Sequence, residues 1–250
     1  MKKKTVLITG GARGIGKAMS KAFAKEGYNV LVNFNKSENE AKELYTILNE
    51  KNFSVKLFKA NISNREDVED MVDYCIKEFG GLDVLVNNAG VSQDKLFTDI
   101  TDEDWDNMMN INLKGSFYCS QVALKYMISE KKGNIINISS IWGISGASCE
   151  VHYSITKAGI IGMTKALAKE VGPSNIRVNS IAPGVINTDM LSGYNEEDID
   201  ALVEETPLMR LGTPEDIANC AIFLASDKSN FITGQVISPN GRSEERRVGK

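Results

Sequence analysis

Residues 149–159 read CEVHYSITKAG and bring together a histidine, a tyrosine and, four positions after the tyrosine, a lysine. On a helix, Tyr153 and Lys157 are i and i+4 and share one face. A free phenol ionises near pH 10. A neighbouring ammonium favours the phenolate, so the pair could exchange a proton closer to neutrality. His152, the only histidine of the chain, lies one residue away and faces about 100° from Tyr153 on a helix. It is expected to be structural or to sit at a pocket rim. By itself, a helical Tyr/Lys pair reads first as a surface contact, so its meaning depends on what the rest of the chain places around it.

The positioning elements follow from patterning. Short apolar runs at residues 5–10, 29–34, 54–60, 83–90, 134–140, 176–184 and 234–238 alternate with amphipathic stretches at 15–26, 37–51, 64–80, 102–130, 153–170 and 214–226. Apolar strands alternating with helices imply a parallel sheet buried on both faces. The expected fold is a single α/β domain, a Rossmann-type doubly wound sheet of about seven strands covering residues 1–241. Ser37 is a plausible N-cap for the second helix. Residues 188–212 are irregular with a helical middle and could form a lid over a ligand.

The first strand runs into TGGARGIG, placing Gly10, Gly14 and Gly16 in a turn that opens a helix. Such a loop lets backbone approach a pyrophosphate, and the helix N-terminus supplies free N–H groups. The spacing is one residue longer than the commonest dinucleotide fingerprint. At the end of the second strand, where an NAD site usually carries a carboxylate, the chain has Asn33, Phe34, Asn35, Lys36 and Ser37, with no acid before Glu38. Lys36 and Arg13 supply two cations instead, which favours a 2′-phosphate and hence NADPH/NADP+.

The chain has 250 residues, 42% hydrophobic and 25% charged, with net charge −4. No basic face points to nucleic acid. The lysine-rich start is followed by an apolar run too short for a signal or membrane span, so a cytoplasmic protein without membrane contact is expected. Cys75, Cys119, Cys149 and Cys220 are scattered and read as free thiols, with no metal site; Cys149 could line a pocket. Residues 242–250 (RSEERRVGK) break the pattern of the preceding GQVISPNG. They match an in-frame translation of a sequencing adapter and are expected to be a non-native tail.

TGGARGIG, NNAG at 87–90, Ser140 and Tyr-x-x-x-Lys at 153–157 resemble, in order and spacing, the short-chain dehydrogenase/reductase family. The likeness runs from about residue 4 to 241 and is strongest to its 3-oxoacyl-(acyl-carrier-protein) reductase branch. NINLKGSF (110–117), SITKAGIIGMTKALAKE (154–170) and VNSIAPGVINTDM (178–190) carry it. The resemblance implies an NADPH-dependent reduction of a ketone to a secondary alcohol. Tyr153 would be the general acid, Lys157 would hold the nicotinamide ribose, Ser140 would bond the substrate oxygen, and Asn112 would hold a water of the proton relay. Cofactor contacts are implied at Gly10, Arg13, Gly14, Ile15 and Gly16, and at Asn33, Lys36 and Ser37. Further contacts are implied at Asn61, Ile62, Asn88, Ala89, Gly90, Pro183, Gly184, Ile186 and Thr188. Asn87 is read as a structural link between strands.

The branch implies a 3-oxoacyl thioester on acyl carrier protein as substrate, and a homotetramer. Lys131 and Lys132 lie near a position where the branch carries an arginine for carrier docking; a second such position is Ser174 here. Trp142, Cys149 and Glu150 are expected near the pocket, and a carboxylate there would suit a cationic ketone. The alternatives are a reductase of the 5-aminopentanone group on elongation factor P, other ketones of sugar-alcohol or steroid type, or a catalytically dead NADP-binding regulator.

Overall fold

A computed structural model describes residues 3–191 and 193–242. The segment 243–250, which carries nearly all of the expected adapter-derived tail, lies outside the described residues.

Among the described residues seven strands form one sheet: β1 (Thr5–Ile8), β2 (Asn29–Phe34), β3 (Val55–Lys59), β4 (Val84–Asn87), β5 (Gly133–Ile138), β6 (Ile176–Ile181) and β7 (Val236–Ile237). Their order is β3-β2-β1-β4-β5-β6-β7, and every pairing is parallel. β1, β2 and β4 are mostly apolar and buried because both faces are covered, while β5 and β6 also carry polar residues such as Asn137 and Ser180 into the interior. One face packs under α1 (Gly14–Lys25), α2 (Glu38–Glu50) and α9 (Pro214–Ala225), with Val6, Ile8, Phe23, Leu44 and Leu224 in that layer. The other packs under α3 (Arg65–Phe79), α5 (Gly115–Ser129) and α7 (Val151–Val171), with Leu7, Met71, Leu85, Met127 and Val178. The doubly wound expectation holds.

Local chemistry sets many of the boundaries. Asn64 caps α3 by accepting from the Glu66 and Asp67 amides, and Gly80 ends it at φ 74°, a conformation that favours glycine. Thr213 and Asp216 form a capping box at α9, with Pro214 at its first position. Ser37 stands at the N-cap of α2 as expected, though it makes no side-chain cap bond. Two other boundaries differ from the sequence reading. The helix expected over 102–130 is three segments: α4 (Asp102–Met108), a π-helical stretch Met109–Lys114, and α5. α7 starts at Val151 rather than at Tyr153.

Strand order reverses between β1 and β4. The crevice beyond the carboxyl ends of these strands is where open α/β sheets bind ligands.

Candidate active site

A cavity of about 960 Å³ opens at this reversal. It runs from the glycine loop, past the ends of β2, β3, β4 and β5, to the start of α7 and the 188–205 segment. Every implied cofactor contact lies on its wall, as do Ser140, Tyr153 and Lys157. These residues come from turns far apart in sequence, and the sheet brings them together.

The glycine loop is shaped for close backbone approach. Gly10 has φ 61° and Gly14 has φ 48°. A Cβ on Gly16 would lie 2.2 Å from the Gly10 carbonyl oxygen, so no other residue fits there. Asn88 holds this loop: its Nδ2 donates to the carbonyls of Thr9 and Gly10, each at 3.0 Å. Asn33 holds it from the other side, its Oδ1 accepting from Gly10 N at 3.2 Å and its Nδ2 donating to Ala60 O at 3.1 Å. Both side chains are engaged in architecture. They touch the cavity while serving chiefly as struts. Arg13 and Lys36 are exposed on its wall. Neither makes an ion pair among the described residues, leaving one cation in the glycine loop and one after β2, each on the cavity wall. The residues present therefore fit a dinucleotide, and the two cations suit an extra phosphate on its adenosine ribose. Asn61 turns its Oδ1 back onto Ser63 N and Oγ. Ile62 is buried against Gly115, where a Cβ would fall 2.6 Å from Ile62 Cδ1.

At the other end, Tyr153 and Lys157 both face the cavity one turn apart on α7. Lys157 is buried. Its Nζ donates to Ile138 O at 3.0 Å and lies 5.5 Å from the centroid of the Tyr153 ring. Burial lowers the Lys157 ammonium to about pH 8. Tyr153 keeps part of its surface on the cavity, but its hydroxyl lies deep. Burial, and secondarily the Glu150 carboxylate, push its pKa to about 12, against a hydrogen bond with Ser140 that favours the phenolate. Burial therefore works against the phenolate in the free protein. Ser140 Oγ also accepts from Trp142 N at 3.1 Å. Ser139 Oγ donates to Lys157 O at 2.8 Å, and Gly143 allows the close packing of α6 (Trp142–Ser145), since a Cβ there would lie 2.7 Å from the Lys157 carbonyl carbon.

Asn112 lies in the π-helical stretch, buried behind Gly90 rather than on the cavity wall. Its Oδ1 accepts from Val91 N at 2.8 Å, and its Nδ2 donates to Val91 O at 2.9 Å and Thr156 Oγ1 at 3.2 Å. The side chain ties the β4 turn to α7. The wider turn of a π-helix turns it toward both.

His152 is fully buried beside Gln93 and does not line the cavity, which settles its rim alternative in favour of structure. Asn87 donates from Nδ2 to Ser120 Oγ and Asn137 Oδ1, a strand-to-strand link as expected. Trp142 and Glu150 line the cavity; Cys149 does not. Its backbone is left-handed at φ 61°, and the neighbouring Glu150 takes the place on the wall. Burial raises the thiols of Cys75 and Cys119 to about 12 and of Cys220 to about 11. Among the described residues no group of three or more His, Cys, Asp or Glu side chains is set to hold a metal, and no helix is long and apolar enough to cross a membrane.

Sequence reasoning missed the opposite wall of the substrate end. Asp94, Tyr194, Leu202 and Glu205 line it, the last three from the 188–212 segment around α8 (Glu196–Glu204). Glu150 is half-buried there, and burial together with Asp94 raises its carboxyl to about 7. The Tyr194 phenol is raised by burial and then by Asp94, Glu150 and Asp198. Nothing local in the sequence marks Asp94, because loop direction decides which side chain faces inward. Lys131 and Lys132 are corrected in the opposite sense. They precede β5, whereas Ser140 follows it, so about 23 Å of strand separates them from the mouth at ~3.3 Å per residue. Lys132 is moreover paired with Asp83.

Residues 10–241 match the family described as enoyl-(acyl carrier protein) reductase. The chain is 40% identical over 238 residues to 3-oxoacyl-(acyl-carrier-protein) reductase FabG of Staphylococcus epidermidis, covering 95% of this chain and 98% of that one. It is 42% identical over 241 residues to the FabG of Thermotoga maritima and 43% identical over 240 residues to that of Chlamydia trachomatis, each alignment covering 95% of this chain and 96% of the relative. With its glycine loop, its Ser140–Tyr153–Lys157 cluster and this extent of likeness, the chain belongs to the short-chain dehydrogenase/reductase family, oxidoreductases that act on CH–OH groups with a nicotinamide cofactor.

Proposed function

We propose that the chain reduces a ketone to a secondary alcohol with NADPH, and that its substrate is a 3-oxoacyl thioester carried on acyl carrier protein, as the names of its relatives suggest. The observation that carries the reading is the single cavity joining the glycine loop to Ser140, Tyr153 and Lys157. When bound, the nicotinamide supplies the hydride. The chain's own residues do the rest. Gly10, Gly14, Ile15 and Gly16 receive the pyrophosphate, and Arg13, Lys36 and Ser37 receive the 2′-phosphate. Asn61 and Ile62 flank the adenine. Asn88, Ala89 and Gly90 border the ribose, and Pro183, Gly184, Ile186 and Thr188 border the carboxamide. Ser140 orients the carbonyl oxygen of the substrate. As that oxygen gains electrons, the Tyr153 hydroxyl gives it a proton. Lys157 holds the ribose hydroxyls and stabilises the phenolate left behind. Asn112 fixes the turn behind Gly90 against α7, and its peptide would hold the water through which Tyr153 is reprotonated.

A second reading is favoured by the wall formed by Asp94 and Glu150. Two carboxylates beside the reacting end suit a ketone that bears a cation, such as the 5-aminopentanone group of elongation factor P. The protein would work in the cytoplasm. The exposed Phe97 and Phe231 are consistent with assembly into a homotetramer.

The test is NADPH consumption with acetoacetyl-CoA. Tyr153→Phe should keep NADPH binding and lower turnover by about 10³-fold or more. Turnover within tenfold of the parent would refute the proton-donor role, and loss of NADPH binding by the parent would refute the cofactor reading.

A further inference from the structure

The buried histidine next to Tyr153 belongs to a network that the chemistry above leaves unused. His152 is the second residue of α7 and has none of its surface exposed. Its Nε2 lies 3.0 Å from Gln93 Oε1. Gln93 in turn donates from Nε2 to Asp104 Oδ1 at 2.8 Å. A carboxylate only accepts, so this bond decides which end of the Gln93 amide turns to the imidazole: it is the oxygen. His152 therefore carries its hydrogen on Nε2, and its buried Nδ1 has no partner among the described residues. Asp104 is itself pinned. It accepts from Lys95 Nζ and from Thr101 N at 2.9 Å and Oγ1 at 2.7 Å, closing the capping box of α4. These partners hold its carboxyl well below the usual range.

The network fastens two pieces of the cavity beyond the Asn112 bonds that hold Val91 and Thr156. The first is the start of α7. Its N-cap residue, Glu150, makes no side-chain cap bond, and Cys149 before it is left-handed. The second is the strip after β4. Val91, Ser92 and Asp94 face the cavity, whereas Gln93 and Lys95 turn to Asp104. Besides the imidazole–amide bond, Lys95 N donates to Cys149 O at 2.7 Å. Two bonds therefore tie the strip to the start of α7, one on the backbone and one through His152.

We infer that His152 is a positioning residue: through Gln93 and Asp104 it clamps the strip 91–95 to the first turn of α7, and so sets where Tyr153 stands against the wall that carries Asp94 and Glu150. It touches no reacting atom. Its partnerless Nδ1 is the price of that placement, since a buried polar atom without a bond is unfavourable. The inference rests on the proposed role of Tyr153 as proton donor.

Two variants remove the clamp, one from each side. His152→Leu deletes the donor in the core. Gln93→Leu deletes the acceptor at a half-buried site, where folding is less at risk. Each is expected to lower kcat with acetoacetyl-CoA by about 10- to 100-fold, the size expected when a reacting group is misplaced by about an ångström. NADPH affinity, read by fluorescence titration, should stay within about twofold, because the glycine loop and Lys36 lie on other elements and Lys157 is anchored separately by its bond to Ile138 O. His152→Gln keeps an N–H donor near the Nε2 position and should return kcat to within about threefold of the parent. A general packing role would not give this rescue. The double variant His152→Leu/Gln93→Leu should lose no more than the worse single one, since both break the same bond. The inference falls if Gln93→Leu keeps kcat within threefold of the parent, if His152→Gln is as impaired as His152→Leu, or if NADPH affinity drops in parallel with kcat. Tyr153→Phe, assayed alongside, separates the two readings. If it still turns over, the proton-donor role fails and the clamp inference, which presupposes it, falls too; if it is inactive while Gln93→Leu is unimpaired, only the clamp fails.

Discussion

Glu150 carries the most exposed consequence of this geometry. Burial, aided by Asp94, raises its carboxyl from the ordinary 4.5 to about 7. The folded-state pKa therefore lies above the unfolded one. Between pH 4.5 and 7 the folded protein holds this proton more tightly than the unfolded chain does. Stability falls as pH rises through that window, and the full loss is present above pH 7. At ~1.4 kcal/mol per pH unit the displacement corresponds to about 3 kcal/mol. Glu150 is only half-buried, so solvent screening reduces this to roughly 1–2 kcal/mol. Replacing Glu150 with Gln removes the charge and nearly keeps the shape. The variant should be more stable than the parent by about that amount at pH 8, a rise in Tm of about 3–6 °C for a chain of this size. At pH 5 the gain should shrink to about a quarter, because most of the parent's Glu150 is then protonated in the fold.

Thermal melts at the two pH values measure this directly. Equal effects of Glu150→Gln at pH 5 and pH 8, or a loss of stability at pH 8, would refute the reasoning. A carboxylate that destabilises its own fold at working pH calls for a functional reason, and the amino-ketone reading gives one. In that reading Glu150→Gln lowers kcat/KM for an amino-ketone by at least about tenfold relative to that for acetoacetyl-CoA, since the cation loses its partner while both substrates share the change at Tyr153. Equal losses on both substrates would remove the amino-ketone reading and leave the thioester reading standing.

Three further outcomes follow from the cofactor end. Gly16→Ala would set a Cβ 2.2 Å from the Gly10 carbonyl oxygen, so NADPH affinity should fall by at least about 100-fold in a fluorescence titration while the fold persists by circular dichroism. Arg13→Ala and Lys36→Ala should each cut the preference for NADPH over NADH by about tenfold, measured as the ratio of kcat/KM values, because each removes one cation from the adenosine end of the cavity. Asn33→Ala orphans the Gly10 amide on one side and the carbonyl of Ala60 on the other. A stability loss of about 2 kcal/mol in urea melts is expected, together with weaker NADPH binding; weaker binding with no stability loss would return Asn33 to the direct ligand contacts.

The fold was legible because its signal is repetitive. Six apolar strands with helices between them leave little choice of architecture, and the short β7 was placed by its position after α9. What was lost was local. A run of helical residues from Asp102 onward carries no mark of the π-helical stretch, because that widening answers to the packing of Asn112 against Val91 and Thr156 and not to propensity. The start of α7 at Val151 was equally hidden, since neither Glu150 nor Cys149 is a capping residue.

The candidate site divides along the same line. Positions fixed by backbone geometry could be read from residue type alone. Gly10, Gly14 and Gly16 are there because no side chain fits or because φ is positive. Positions that depend on where a side chain turns could not. Asn33 and Asn88 look like ligand contacts in a linear reading, yet each points back into the protein and holds the glycine loop from opposite sides. Asp94 looks like an ordinary loop carboxylate, yet the alternation of its strip, with Gln93 and Lys95 drawn to Asp104, aims it into the cavity. The chemistry common to the family therefore rests on residues whose type is dictated by space. Substrate choice rests on residues whose direction is dictated by neighbours such as Asp104 and His152, so substitutions at those neighbours should shift the ratio of kcat/KM values between ketones as well as lower kcat.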